Sequence, residues 1–358
     1  MPTWPEHLCG SNRRPGCPGC RQRTRTSLGH GRTAGPTPGR SSLLFAVSTA
    51  DDELRQRFGQ ALHLAQEIGD EQLEAEILLE ADFGLSHPED FEARQRAVAR
   101  LAELSGADHD LRWETAWLDF GIAMQLADAE RAVRACEQMR TEVDLVSARR
   151  RNFGMAIVEA MVSQVAGDTE NAERWTNAAV EIGLEQFPES WVMNAYGAIL
   201  LGIRRQEGRM GELVSVFESL LENNPHFPTW RAGAAITALK AGEIDRATAH
   251  FDRLAEDDFT ALVKDGSWTA AVGVLCETAA ALDRRNEAAT LYELLAPFGG
   301  RILWSGTSPF GPTDASLALA AEAAGRSADA AEHRRAAEQT IDRLRPLGKL
   351  SLPAPTQR

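Results

Sequence analysis

Gly242-Glu243-Ile244-Asp245-Arg246-Ala247, followed by Phe251 and Leu254, is the stretch that decides the fold. Ala247, Phe251 and Leu254 fall at i, i+4 and i+7, so they share one face of a helix that opens just after a glycine. The signature, a Gly/Asp break, four residues, a small residue and then an aromatic, recurs along the chain. Set in register, the small positions are Ala132, Ala172, Leu213, Ala247, Ala288 and Ala330, with spacings of 40, 41, 34, 41 and 42 residues. A period in this range marks repeat architecture. Each unit can bury its apolar face only against its neighbours, so the expected fold is all-α: an α-solenoid of antiparallel helix pairs, about 40 residues per repeat.

Residues 46–346 carry this pattern, with short breaks such as Ala127-Asp128, Gly167-Asp168, Gly208, Gly242, Asp283 and Gly325. Glycine ends a helix in the left-handed region without steric penalty, and Asp or Pro opens the next one. Within 209–223, Leu213, Val216, Phe217, Leu220 and Leu221 form one apolar stripe, while Glu212, Glu218 and Glu222 stay on the wet side. Only Arg301-Ile-Leu-Trp-Ser-Gly-Thr-Ser-Pro-Phe310 departs from helical periodicity, and it reads as a longer loop. Residues 1–45, rich in Pro, Gly, Arg and Ser, are expected to be a disordered leader, and 347–358 a disordered tail.

Charge narrows the partners. Residues 1–40 hold seven Arg against one acid, Glu6, so in a chain of net charge −14 the remainder is about −20. An acidic body argues against direct nucleic-acid binding, which depends on neutralising phosphates. No stretch approaches the ~20 apolar residues that span a bilayer. The early run Leu43–Val47 is too short and too far from the start for a signal peptide, so a cytoplasmic location is expected. Cys136 and Cys276 fall inside apolar helices and read as small buried hydrophobes.

Searches for chemistry return bland readings. Gly35-Pro-Thr-Pro-Gly39-Arg40-Ser41-Ser42 has the wrong spacing for a phosphate loop, and two prolines remove amide donors. Cys17-x-x-Cys20 has zinc-ligand spacing and could join Cys9 and His30 in a three-Cys, one-His set, but Cys9 is poorly spaced and no flanking apolar residues would build a metal-nucleated fold. The carboxylate pairs Asp51-Asp52, Glu89-Asp90 and Asp257-Asp258 sit at helix ends, where they cap and complement the dipole. The basic run Arg149-Arg150-Arg151 reads as a solvated helix face. Enzymatic activity, a metal and a cofactor are therefore not expected.

Several segments carry a family resemblance: Asn224-Pro-His-Phe-Pro-Thr-Trp-Arg231, Asp257-Asp-Phe-Thr-Ala-Leu262, Asp265-Gly-Ser-Trp268 and Leu291-Tyr-Glu-Leu-Leu-Ala-Pro-Phe-Gly-Gly-Arg301. With the repeat register, they resemble long tetratricopeptide repeats of the C-terminal helical region of bacterial ATPase-linked regulators. That group includes LuxR-type transcriptional regulators and proteins associated with class III adenylate cyclases. The resemblance implies a right-handed solenoid in which the first helix of each pair lines a concave face. It places Glu114, Trp117, Met124, Gln164, Arg205, Thr229 and Glu277 near that face as binding candidates. Trp113, Trp117, Trp191, Trp230 and Trp268, on first-of-pair helices, read mainly as packing residues. The function expected is a non-enzymatic scaffold for protein–protein interaction, the regulatory or sensor module of a signalling or transcription-regulating ATPase. The alternatives are a sensor of a small ligand such as a sugar or metabolite, and a truncated piece of an ATP-binding LuxR-type regulator.

Overall fold

The register read from the sequence is a register of turns. The protein is described by a computed structural model covering residues 52–143, 149–225 and 227–349. In it Ala127, Gly167, Gly208, Gly242, Asp283 and Gly325 all take positive φ. The next residue donates its N–H to a carbonyl five positions back: Asp128 to Ala123 at 2.9 Å, Asp168 to Ser163 at 3.0 Å, and likewise through Arg326 to Ala321 at 2.8 Å. This is the hydrogen-bond pattern that ends a helix through a left-handed residue. The small residue of each unit lies five positions beyond that turn. Ala132, Ala172, Ala247, Ala288 and Ala330 are 0% exposed and Leu213 is 2%.

Between the turns run helices α1 (Asp52–Ile68), α2 (Glu71–Leu78), α3 (Ala81–Gly84), α4 (Phe91–Ser105), α5 (His109–Gln125) and α6 (Ala129–Val143). Then come α7 (Arg149–Val165), α8 (Thr169–Leu184), α9 (Glu189–Gln206), α10 (Val214–Asn223), α11 (Pro228–Lys240) and α12 (Ile244–Ala255). The last four are α13 (Trp268–Ala281), α14 (Arg285–Leu295), α15 (Thr313–Ala323) and α16 (Ser327–Leu344). Neighbours pack in pairs, α5 on α6, α7 on α8, α11 on α12, α13 on α14 and α15 on α16. First helices also stack on one another, α7 against α9 and α11 against α13 against α15.

The two helices of a pair differ in what they bury. Second helices are amphipathic: α12 buries Ala247, Phe251 and Leu254 and leaves Asp245, Arg246 and Arg253 in water. First helices are enclosed on most sides. Helix α13 buries Ala270–Cys276 without a break, as well as Trp268, Thr278 and Ala279. Several of their buried hydroxyls are satisfied by their own helix: Thr115 Oγ1 donates to Leu111 O (2.7 Å), Ser163 to Glu159 (2.7 Å) and Thr278 to Val274 (2.8 Å). Acidic caps fix the earlier helix starts, with Asp70, Asp108, Asp128 and Asp168 each accepting the N–H three residues on. The stripe of 209–223 is confirmed at Leu213, Val216, Phe217 and Leu220, although Met210–Leu213 forms a 3-10 turn before α10.

Two expectations need correction. The segment 301–310 is not a loop: β1 (Ile302–Trp304) and β2 (Pro309–Pro312) pair antiparallel, Ile302 opposite Pro312 and Trp304 opposite Pro309. Pro309 and Pro312 cannot donate to a helix ladder or a central sheet, which confines this segment to a two-stranded ribbon. The ordered body also runs past 346. Arg345–Lys349 forms a 3-10 helix against α6 and α7, with Leu347 fully buried.

The N-terminal and C-terminal halves of the described chain touch. Lys264 Nζ lies 3.0 Å from Glu89 Oε1, and the Arg301 guanidinium sits 4.4 Å from the centre of the Phe91 ring. All the described residues belong to one compact unit, 40–358. The Cys9, Cys17, Cys20 and His30 cluster, the Gly35–Ser42 loop, the 1–45 leader and residues 350–358 lie outside the described residues. Among the described residues no helix is long and apolar enough to cross a membrane.

Candidate functional site

Glycines on first helices open a seat for the ribbon. The Trp304 ring lies over Gly121 of α5, where an added Cβ would stand 3.7 Å from Cζ2. A Cβ on Gly202 of α9 would come within 2.7 Å of Gln164 Nε2 and collide with Ser308 Oγ. A Cβ on Gly273 of α13 would run into Leu303, which is fully buried. Helices α9 and α13 thus have no room for a side chain where the ribbon passes, whereas at Gly121 an added Cβ would make ordinary van der Waals contact.

The seat then grips the ribbon by its backbone. Gln164 of α7, 2% exposed, donates through Nε2 to Pro309 O (2.9 Å), and its Oε1 accepts from Ser308 Oγ (2.9 Å). Thr269 Oγ1 of α13 accepts the Trp304 N–H (3.3 Å) and donates to Trp304 O (3.4 Å). At the base of the ribbon, Asp314 accepts the Gly300 N–H (2.6 Å) and pairs with His333 Nδ1 (2.7 Å), whose Nε2 meets Tyr292 Oη at 3.1 Å.

Beside the ribbon, three successive first helices meet through charge. Glu277 of α13 is held by Arg205 of α9 (2.8 Å) and Lys240 of α11 (2.6 Å). Burial pushes its carboxyl up, but Arg205 and Lys240 together outweigh that and hold it below the ordinary carboxylate range. Arg205 Nη1 is buried without a partner among the described residues.

A cavity of about 60 Å³ lies between α9, α10, α11, α13 and the ribbon. Its walls are apolar, formed by Leu201, Phe217, Trp230, Ala271, Val274 and Phe310 among others. Thr229, Ser267 and Ser305, each half-buried, supply the hydroxyls of the lining. Ser267 Oγ donates to Asp265 Oδ1 at 2.7 Å and lies 3.4 Å from Thr229 Oγ1. Asp265 is itself buried, and that burial raises its carboxyl above the usual range despite the Ser267 hydrogen bonds.

The sequence-derived candidates separate into groups. Gln164, Arg205, Thr229 and Glu277 lie around the ribbon and cavity, and Arg205 and Glu277 pair directly. Glu114 faces Arg151 of α7 at 3.7 Å. Trp117 is 8% exposed and stacks on Trp113 with ring centres 6.0 Å apart, while Met124 is fully enclosed. Both are packing residues, because small or apolar neighbours surround first helices on nearly every side. Trp113, Trp230 and Trp268 are buried as expected. Arg151 departs from the solvated face read for Arg149-Arg150-Arg151: it is 8% exposed, paired with Asp110 (2.6 Å) and set over the Trp113 ring. The charges of α5 draw it inward.

The sequence reading does not anticipate a ribbon lying across α5, α7, α9 and α13, and with it misses Gly202, Thr269, Gly273 and Ser308. The available signal was length. Breaks within the pairs α5/α6, α7/α8, α11/α12, α13/α14 and α15/α16 take three residues, whereas 299–312, between α14 and α15, runs fourteen with two prolines and four aromatic or β-branched positions, the link 256–267 between α12 and α13 coming next in length at twelve. Among the described residues no group of three or more His, Cys, Asp or Glu is arranged to hold a metal. No family model matches the chain, and no curated protein is significantly similar to it.

Proposed function

We propose that this chain is a non-enzymatic, right-handed α-solenoid that works as a protein-interaction scaffold, the regulatory module of a bacterial signalling or transcription-regulating ATPase. The observation that carries the reading is the seat itself. Gln164 and Thr269 hold an extended segment by its main-chain groups, with glycines beneath it. Main-chain recognition with side-chain pockets is how extended peptides are bound in general. The chain's own ribbon shows that this surface accepts such a segment, and a partner would engage the same face beside it, near Glu114, Arg205, Thr229 and Glu277. The acidic body favours a protein partner over nucleic acid, and a cytoplasmic setting follows from the same reading.

The test is partner capture by the native chain from its own cells, followed by Glu114→Ala, Arg205→Ala, Thr229→Ala and Glu277→Ala variants of unchanged fold. Loss of the partner in at least one variant is expected. Retention in all four sinks the groove reading.

A second reading, a small-ligand sensor, is favoured by the apolar cavity beside Trp230.

A further inference from the structure

The cavity between α9, α11, α13 and the ribbon is held open by its own walls. Close-packed interiors contain few voids larger than a water, and this one, at about 60 Å³, exceeds the ~10–15 Å³ that a water needs. Three helices bring small residues to it: Ala198 on α9, Gly233 on α11, and Ala270 and Ala271 on α13. The aromatic rings beside them are pinned. Phe217 lies so close to Gly233 that an added Cβ would stand 2.1 Å from its Cε1, and the Trp230 ring meets Phe217 edge-on with centres 5.9 Å apart.

The polar side chains of the lining are already engaged. Ser267 gives its one hydroxyl hydrogen to Asp265 Oδ1 at 2.7 Å, so the 3.4 Å contact with Thr229 takes the hydrogen of Thr229. Ser305 gives its own to Ser308 O at 3.2 Å. Trp230 Nε1 is enclosed, so that ring lines the cavity with carbon. No Lys, Arg, Asp or Glu lines it, and an ion there would lose its hydration uncompensated. A held water needs two to four polar partners, whereas an apolar cavity stays dry and takes apolar guests. Half-buried Thr229, Ser267 and Ser305 mark the end nearest solvent, and the other lining residues are buried.

We propose that this cavity is a binding site for a small branched hydrocarbon group, free or as the end of a larger molecule, selected by shape and apolar burial with no hydrogen bond to the walls. The proposal rests on the sensor reading and deepens it by making the effector apolar. The space falls below the ~150 Å³ of a closed site that takes benzene, so the group is smaller than a benzene ring. It lies against Leu201, Val274 and Phe310, and any remainder of the molecule leaves past Thr229, Ser267 and Ser305.

The experiment uses the full chain, labelled at Leu and Val methyls for NMR, and planar probes of one shape and rising polarity: isobutene, acetone, acetamide and acetate. Isobutene is expected to bind roughly tenfold more tightly than acetone and to shift the methyls of Leu201 and Val274. Acetamide and acetate are expected to leave those methyls unmoved. Ala271→Leu, which fills the space, is expected to abolish isobutene binding. Leu201→Ala, which widens it, is expected to admit benzene, which the native chain excludes, and this gain decides should Ala271→Leu fail to fold. Acetone or acetamide binding as tightly as isobutene overturns the chemical class. The site is overturned by no isobutene binding to the native chain, by shifts away from Leu201 and Val274, by unaltered binding in Ala271→Leu, or by exclusion of benzene from Leu201→Ala. Isobutene binding that behaves as expected but leaves partner capture unchanged at saturation refutes the sensor reading alone.

Discussion

Gln164→Leu isolates the contribution of the seat with little change in volume or helix propensity. The amide makes two hydrogen bonds to the ribbon, to Pro309 O and from Ser308 Oγ, each 2.9 Å long. Gln164 is 2% exposed and Ser308 0%, so water does not replace either partner while the ribbon stays seated. Each orphaned group costs about 1–3 kcal/mol. Leucine in place of a buried amide returns roughly 1–2 kcal/mol of apolar burial. The net loss expected is about 2 kcal/mol, limited above by the free energy of unseating the ribbon, since local opening would rehydrate both groups.

Denaturant unfolding measures the loss, and hydrogen exchange of 302–313 locates it. The amides of Trp304, Ser305 and Ser308, which depend on the seat and the turn, are expected to lose protection before those of α13. Ser308→Ala completes a double-mutant cycle. Alone it strands Gln164 Oε1 and costs about 1–3 kcal/mol, whereas on the Gln164→Leu background it is neutral or stabilising, because no partner remains to strand. A Gln164→Leu protein within about 0.5 kcal/mol of the parent, or a Ser308→Ala cost that is the same on both backgrounds, would refute the seat as described.

Other outcomes follow from the turns, the ion cluster and the thiols. Ala127 (φ 54°) and Asp283 (φ 54°) stand where glycine serves the equivalent turns at 167, 208, 242 and 325. Their strain of about 1–2 kcal/mol is partly offset by glycine's larger unfolded-state entropy, so Ala127→Gly and Asp283→Gly each stabilise by about 0.5–1 kcal/mol in thermal unfolding. Glu277→Gln leaves Arg205 and Lys240 facing a neutral amide, an expected loss of about 2–4 kcal/mol at neutral pH. Because the folded-state carboxyl is held below its ordinary value, that stability is full above the unfolded pKa and is lost as pH falls through the folded one, so parent and variant converge in acid. Burial pushes the Cys136 thiol up to about 12 and the Cys276 thiol higher still. Peptide-resolved mass spectrometry after alkylation at pH 8 should find both unlabelled in the native protein and labelled on unfolding; native labelling of either would contradict the burial.

What the sequence made legible follows from which residues act locally. A left-handed turn is chosen by Gly167, Gly208, Gly242 or Gly325 alone, and an amphipathic face by residues three and four apart, so helices, turns and the buried Ala132–Ala330 register could be read directly. The ribbon's seat depends on partners far away. Gln164 meets Ser308 across 144 residues, and Lys264 meets Glu89 across 175. No periodicity encodes such a meeting. The register marks Gln164 without its ribbon partner, and marks Met124 and Trp117 alike, because it cannot tell a lining residue from one enclosed between stacked helices. Arg151 was misread for a related reason: its acidic partner Asp110 lies on a different helix.

In an array whose units touch only their neighbours, stability is local and a ligand at one unit is unfelt by the next. The ribbon alters that arithmetic. It rests on α5 at Gly121, α7 at Gln164, α9 at Gly202 and α13 at Thr269 and Gly273, so helices far apart in the sequence share one element. Phe310, on the same ribbon, is a wall of the cavity beside Trp230. A molecule that binds only when Phe310 is in place adds RT ln(1 + [L]/Kd) to the seated state, and by linkage anything that unseats the ribbon weakens that molecule by the same factor. The cavity and the ribbon's seat therefore draw on a single equilibrium, the docking of residues 301–312. A segment competing for Gln164 and Thr269 would oppose the ligand, although the two touch different side chains.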